Sequence, residues 1–316
     1  MSTTPPGFVQ VDVDGLWAVR DCYGRAERDS FANDPCWTEG ITRLDSVFQS
    51  AGIDAAFFIV GRDMELDAKR RAARKLIHHG YELGNHGYTH RLGLTLETTG
   101  GIHREITKTH RALAQLGAKP TGFRAPGYDM DSRVLKTLVR CGYDYDASLL
   151  PTYAGPVLRA AQAWLAGKWI GGRRQYGRVS YGRAPRHPYI PRIYKLRKPR
   201  FENEAKRIVE IPVGVTPGWR LPLTASSLFP LSRTRTRDLF AKLATQRRPV
   251  MLLLHAIDGT DCSQPIVFDT KRPRIAGFRM SGDAKEKHLR VIVEEFAACF
   301  AVTRADEFAR RMLAHV

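Results

Sequence analysis

The chain has 316 residues, 43% apolar and 26% charged, which excludes a fully disordered polypeptide and leaves enough apolar material for a sizeable core. Fifty Lys and Arg against 32 Asp and Glu give a formal charge of +18. Such an excess implies an anionic partner: nucleic acid, a membrane surface or a phosphorylated substrate.

In chain order, apolar runs and helical patterns alternate. Strands are predicted at 8–13, 55–60, 81–83, 122–124, 143–147, 208–215, 250–255 and 300–303. Helices are predicted at 42–50, 66–78, 103–116, 132–141, 237–244 and 284–298, and Gly52, Gly80, Gly117 and Gly142 each follow a helical pattern, where a left-handed cap favours glycine. This is the signature of a βα-repeating α/β fold; periodicity does not separate an open sheet from a barrel, but in both the functional groups gather at the strand C-termini.

The charge excess is local. Residues 151–200 contain twelve Lys or Arg and no Asp or Glu, so the remainder carries 38 basic and 32 acidic residues, or +6. The expectation is one domain over 1–316 with a basic insertion at about 151–206. Five scattered cysteines without a CxxC pair argue against a disulfide framework or a Cys-ligated zinc and fit a reducing compartment. MSTTPPGFVQ has no secretory pattern, and no stretch reaches the ~18 uncharged apolar residues of a span, so a cytoplasmic protein, soluble or peripheral, is expected.

Four polar clusters fall at the ends of predicted strands. In Val11-Asp12-Val13-Asp14-Gly15, the two carboxylates are two apart and project to one side of a strand. In Gly84-Asn85-His86-Gly87-Tyr88-Thr89-His90, two imidazoles four apart can face one metal if the segment is helical or tightly looped. Gly122-Phe123-Arg124-Ala125-Pro126-Gly127-Tyr128 reads as a rigid turn holding a guanidinium, and the buried run from Val250 ends in His255. Each cluster alone also fits a structural reading: an Asx turn, solvated loop histidines, a surface arginine, a core histidine. Together, at equivalent ends of separate βα units, they favour a 2-His-1-carboxylate centre of Asp14, His86 and His90 with positions open for water and substrate.

These residues resemble the polysaccharide deacetylase family (NodB homology, carbohydrate esterase family 4), over about residues 8–150 and 207–312. The resemblance implies a distorted (β/α) barrel and a metal-dependent carbohydrate N-deacetylase, a hydrolase of carbon–nitrogen bonds other than peptide bonds. The family's usual first motif is Thr-Phe-Asp-Asp-Gly; the Asp-x-Asp spacing here looks like the branch with peptidoglycan deacetylase, allantoinase-like and aminoarabinose-lipid deformylase members. By resemblance Asp14, His86 and His90 bind the metal, Asp12 is the base, Arg124 orients it and His255 is the general acid. Asp146, in Tyr143-Asp144-Tyr145-Asp146, takes the place of the family's fourth-motif Asp, although no Trp follows it. A backbone N–H at Gly127 or Tyr128 is expected to stabilise the oxyanion. Zn²⁺ is the expected metal, with Co²⁺, Ni²⁺ or Fe²⁺ compatible with the same ligands.

The expected substrate is an N-acylated (acetyl or formyl) amino sugar, as a lipid-linked or phosphorylated glycan. Residues 151–200 would contact an anionic membrane at its inner face, through an interfacial helix at 157–170 and Arg/Lys-interleaved Tyr176, Tyr181, Tyr189 and Tyr194. A solvated basic lid is the bland reading of that insert. Alternatives of other classes are a cyclic-amide hydrolase of the allantoinase-like type and a non-catalytic scaffold binding anionic lipid or nucleic acid, the last being the less favoured partner.

Overall fold

A computed structural model describes residues 4–22, 31–153, 184–191, 207–263 and 277–315. The expected helix at 157–170 and Tyr176, Tyr181 and Tyr194 lie outside the described residues. The strands are β1 (Pro6–Val13), β2 (Ala56–Ile59), β3 (Glu82–Asn85), β4 (Gly122–Phe123), β5 (Tyr145–Asp146), β6 (Val209–Glu210), β7 (Val250–His255) and β8 (Ala301–Val302). They form one parallel sheet in the order β6-β5-β4-β3-β2-β1-β7, with β8 paired to the start of β1.

Alternation along the strands creates two faces. Val9, Val11 and Val13 of β1, Phe57 and Ile59 of β2, and Leu252 and Leu254 of β7 pack under the helices. Phe8, Phe58, Met251 and Leu253 have the opposite parity and join a second cluster inside the curled sheet with Tyr145, Val209 and Ile211. Gln10 and Asp12 share the parity of Phe8, so the only polar groups of β1 fall on its inner face, where burial without partners would be costly.

The helices are α1 (Leu16–Cys22), α2 (Ile41–Ala51), α3 (Asp67–His78), α4 (Thr99–Ala114), α5 (Ser132–Arg140), α6 (Ala225–Leu228), α7 (Arg233–Ala244), α8 (Ala256–Gly259), α9 (Gly282–Cys299) and α10 (Ala305–Ala314). Thr98, Asp131, Ser232 and Ser281 cap α4, α5, α7 and α9 by accepting backbone N–H bonds. All four glycines expected after helices have positive φ, between 62° and 90°. Helices α1, α6, α8 and α10 were not expected from periodicity; α6 and α8 have only four residues each, too short for a repeat to register.

Beyond β6 the chain leaves regular pairing, which shortens the strand expected at 208–215. Pro212 lacks a ladder donor, and Gly214 N–H instead reaches Met251 O (3.0 Å). A Cβ at Gly214 would collide with that carbonyl. Leu253 N–H then donates to Leu223 O (3.0 Å), so the 214–224 segment lies along β7 and the parallel sheet curls into a distorted barrel. Among the described residues no helix is long and apolar enough to cross a membrane.

Candidate metal centre and active site

The carboxyl ends of β1, β3, β4 and β7 bring the four sequence clusters together. Parallel register sets Asp12 level with His255 and Asn85 level with Phe123, so His86 and Arg124 follow side by side. Residues 86–90 are a tight loop, the second of the two conformations the His spacing allowed. Gly87 (φ 71°) and His90 (φ 52°) are left-handed, Asn85 Oδ1 accepts Gly87 N–H, and Glu105 Oε2 of α4 accepts the N–H groups of Tyr88 and Thr89.

Asp14 Oδ1 lies 3.2 Å from His86 Nε2 and 3.1 Å from His90 Nε2. His86 Nδ1 is bonded to Arg124 O at 2.8 Å; because a carbonyl only accepts, Nδ1 carries a proton and Nε2 is the ring atom turned to Asp14, available as a metal ligand. Asp14 Oδ1 is buried with no hydrogen-bond partner. Three electron-pair donors thus converge on a point with no proton assigned to it, an arrangement that suits a cation. Burial opposes ionisation of Asp14, but the adjacent imidazoles of His90 and His86 together hold its carboxyl well below the usual range. Reciprocally, Asp14 raises His90 against the burial that would lower it.

Beside these three groups, Asp12 is 2% exposed and its two oxygens face different ways. Oδ1 accepts Arg124 Nη1–H at 2.6 Å; Oδ2 faces His86 Nε2 at 4.0 Å and His255 Nε2 at 3.8 Å. Arg124 is fully buried and held on every side: Nε donates to Ala147 O at 2.9 Å, Nη2 to Gln10 Oε1, and the guanidinium lies 4.5 Å from the Phe58 ring centre. His255 remains partly accessible, and Asp258 of α8 lies 3.7 Å from its Nδ1 while accepting its backbone N–H. Burial would lower its pKa, yet Asp258, Asp12 and Asp14 push it up to about 9, which keeps a proton on the ring at neutral pH.

Of the two backbone donors expected to face an oxyanion, Tyr128 N–H is already given to Ala125 O at 2.9 Å. Gly127 and Tyr128 are both left-handed, with φ of 62° and 58°. Asp146 is buried near Arg124, but its hydrogen bond is to Ser148 Oγ (2.7 Å), and it stands opposite Glu210 in the β5–β6 ladder. The carboxylates that touch Arg124 and His255 are instead Asp12 and Asp258.

Sequence reading did not single out the network behind Asp14. Asp34 Oδ1 accepts Leu16 N–H (3.0 Å) and Cys36 N–H (3.1 Å), fixing the Gly15–Leu16 turn. Lys69 Nζ joins Asp34 (2.6 Å) to Asp63 (2.7 Å), and Asp63 also accepts the indole N–H groups of Trp17 and Trp37. Burial pushes Asp34 up to about 6, with Lys69 opposing and Asp63 adding to the rise. Gln10 was legible in principle, since it precedes Asp12 by two on the same inner face. An open depression of about 440 Å³ lies beside His90, lined among others by Asp21, Thr89, Arg91 and Leu96.

Comparison with known proteins finds similarity over part of the chain. Residues 30–145 match the family described as polysaccharide deacetylase, a span that contains His86, His90 and Arg124 and stops short of Asp12, Asp14, Asp146 and His255. A peptidoglycan deacetylase of Helicobacter pylori is 26% identical over 162 residues, 49% of this chain and 53% of that protein. The peptidoglycan deacetylase-like protein FGM2 of Gibberella zeae is 32% identical over 114 residues, 35% of this chain and 32% of that protein. The chain therefore spans about half, or less, of the curated relatives it matches. An unconfirmed polysaccharide deacetylase from Mycobacterium smegmatis superposes with a TM-score of 0.59 at 17% identity, covering 99% of this chain and 92% of that one, and shares its fold. The chain is thus similar to the polysaccharide deacetylase family over a span that carries both histidines and the buried arginine, and it shares the fold of the Mycobacterium smegmatis protein.

Proposed function

We propose that the chain is a metal-dependent hydrolase that removes an N-acyl group from an amino sugar. The observation that carries this reading is the split coordination of Asp12: one oxygen is bound to Arg124, and the other is turned toward His255 beside the Asp14–His86–His90 cluster. A divalent cation held by those three ligands, with Zn²⁺ the best match to one carboxylate and two imidazoles, would supply Lewis acidity to a water and to the acyl carbonyl. Asp12 Oδ2 accepts the proton of the attacking water, while Arg124 and Gln10 keep the carboxylate from rotating. His255 delivers its proton to the departing amine, with Asp258 holding the ring. The Gly127 N–H is the backbone donor we assign to the developing oxyanion, and Asp146 braces the strand end from which Ala147 O receives Arg124 Nε–H. These roles follow the Asp-x-Asp branch of the family.

The substrate we favour is a lipid-linked or phosphorylated glycan met at the cytoplasmic face of a membrane. The acid-free run at 151–200 supports this, as do the exposed side chains of Trp219 (82%), Tyr153 (57%) and Leu221 (47%), with Arg220 stacked 4.7 Å from the Tyr153 ring centre. Mass spectrometry of products from a polyprenyl-phosphate-linked N-acylated sugar and from a soluble N-acetylglucosamine oligomer, incubated side by side with metal-loaded protein, tests both parts. Loss of an acyl mass from the lipid-linked sugar alone supports the full reading. Turnover of the oligomer alone retains the deacylase and removes the lipid assignment, and no acyl loss from either rejects the reaction.

A further inference from the structure

Glu210 has no place in the reaction above, yet it is 1% exposed inside the barrel, where an ionised carboxylate without a compensating partner is costly. The β5–β6 register sets it directly opposite Asp146, itself fully buried, and the two carboxyl groups are within hydrogen-bonding reach of each other. Their outer oxygens are engaged: Asp146 Oδ1 accepts Ser148 Oγ–H at 2.7 Å, and Glu210 Oε1 accepts Leu149 N–H at 3.1 Å. Asp146 Oδ2 is left buried without a donor. Two facing carboxylates would repel, whereas one proton between them supplies the missing donor and removes one charge.

The consequence reaches Arg124 from both sides. Ser148 Oγ, oriented by Asp146, accepts the N–H of Ala125, the residue after Arg124, at 2.8 Å. Ala147, between Asp146 and Ser148, offers the carbonyl that receives Arg124 Nε–H. We infer that Glu210 is a positioning residue, which shares one proton with Asp146 and through Ser148 and Ala147 fixes the guanidinium that aims Asp12. The inference rests on the roles given above to Arg124 and Asp12. The charged and titratable groups facing the pair are Arg124 and Tyr189, whose backbone bridges Glu210. Burial pushes both carboxyl groups up, Glu210 well above the usual range, with Arg124 opposing weakly.

Two variants and two readouts test this. Glu210→Gln can donate an amide N–H to Asp146 while still accepting from Leu149, so its kcat is expected within about twofold of wild type, whereas Glu210→Ala should lose on the order of 10²-fold in kcat at unchanged metal content. Infrared spectra supply a readout independent of turnover: at pH 7 the C=O stretch of a protonated carboxyl should be present in the wild type and lose intensity in Glu210→Gln. Equal damage in both variants, full activity in Glu210→Ala, or an unchanged infrared band would overturn the inference. If the wild type hydrolyses neither substrate, the proposed reaction falls, and the infrared comparison still decides whether the proton is shared.

Discussion

Arg124 Nη1 and Asp12 Oδ1 lie 2.6 Å apart although 112 positions separate them in the chain. A buried guanidinium bonded at once to Asp12, Gln10 and Ala147 O leaves Asp12 one orientation, with its second oxygen toward His255. Lysine cannot reproduce this, because one ammonium does not span three acceptors with fixed planar geometry. Arg124→Lys and Arg124→Ala are both expected to lower kcat on the order of 10²-fold with metal content unchanged. Steady-state kinetics beside metal analysis check this; near-wild-type kcat in Arg124→Lys would show that charge alone suffices.

The convergence of Asp14 Oδ1 with two imidazole Nε2 atoms carries the metal assignment. Chelation should abolish activity, and Zn²⁺ or Co²⁺ should restore it. His86→Ala is expected to purify without stoichiometric metal. Retention of one metal per chain by that variant would move the site elsewhere.

The pH dependence follows from His255. Its pKa of about 9 means that the acid form is fully present well below that value and is lost as pH rises through it, so kcat should fall on the alkaline side with a midpoint near 9. Removing the Asp258 charge by Asp258→Asn takes away one source of the upward shift and should move that midpoint down by about 1 unit. A kcat–pH profile in both proteins shows it; an identical alkaline limb in the variant would separate Asp258 from His255.

Lys69 is 3% exposed between two buried carboxylates. Lys69→Met leaves Asp34 and Asp63 buried without their cation, a loss of about 3–5 kcal/mol, and lowers Tm on the order of 10 °C. Thermal unfolding followed by circular dichroism measures the change. A Tm within 2 °C or so of wild type would mean the pair had been neutral, with little net worth.

Much of this arrangement could be read from the sequence because it rests on local repeats. Apolar runs located all eight strands of the described residues, and alternation two apart set Asp12 on the inner face of β1, with Asp14 just past its end. The end of β6 is set too wide by the sequence, since Pro212 and Gly214 trade ladder pairing for the crossing to Met251, a tertiary event with no period. Asp258, Lys69, Asp34 and Glu210 stayed silent for a similar reason. A charged residue beside an apolar run looks the same whether it faces water or closes a buried network with a residue far along the chain. Only the register of β5 against β6 reveals what Asp146 faces.

The most direct test of the account is acyl release from an N-acylated amino sugar, followed by mass spectrometry in the metal-loaded wild type and in Asp12→Asn. Asp12→Asn keeps the shape of the side chain and all three metal ligands but removes the base. The expected result is stoichiometric metal in both proteins with release slowed by about 10²–10⁴-fold in the variant. Equal release by the two proteins at equal metal content would contradict the assignment of Asp12 as the base.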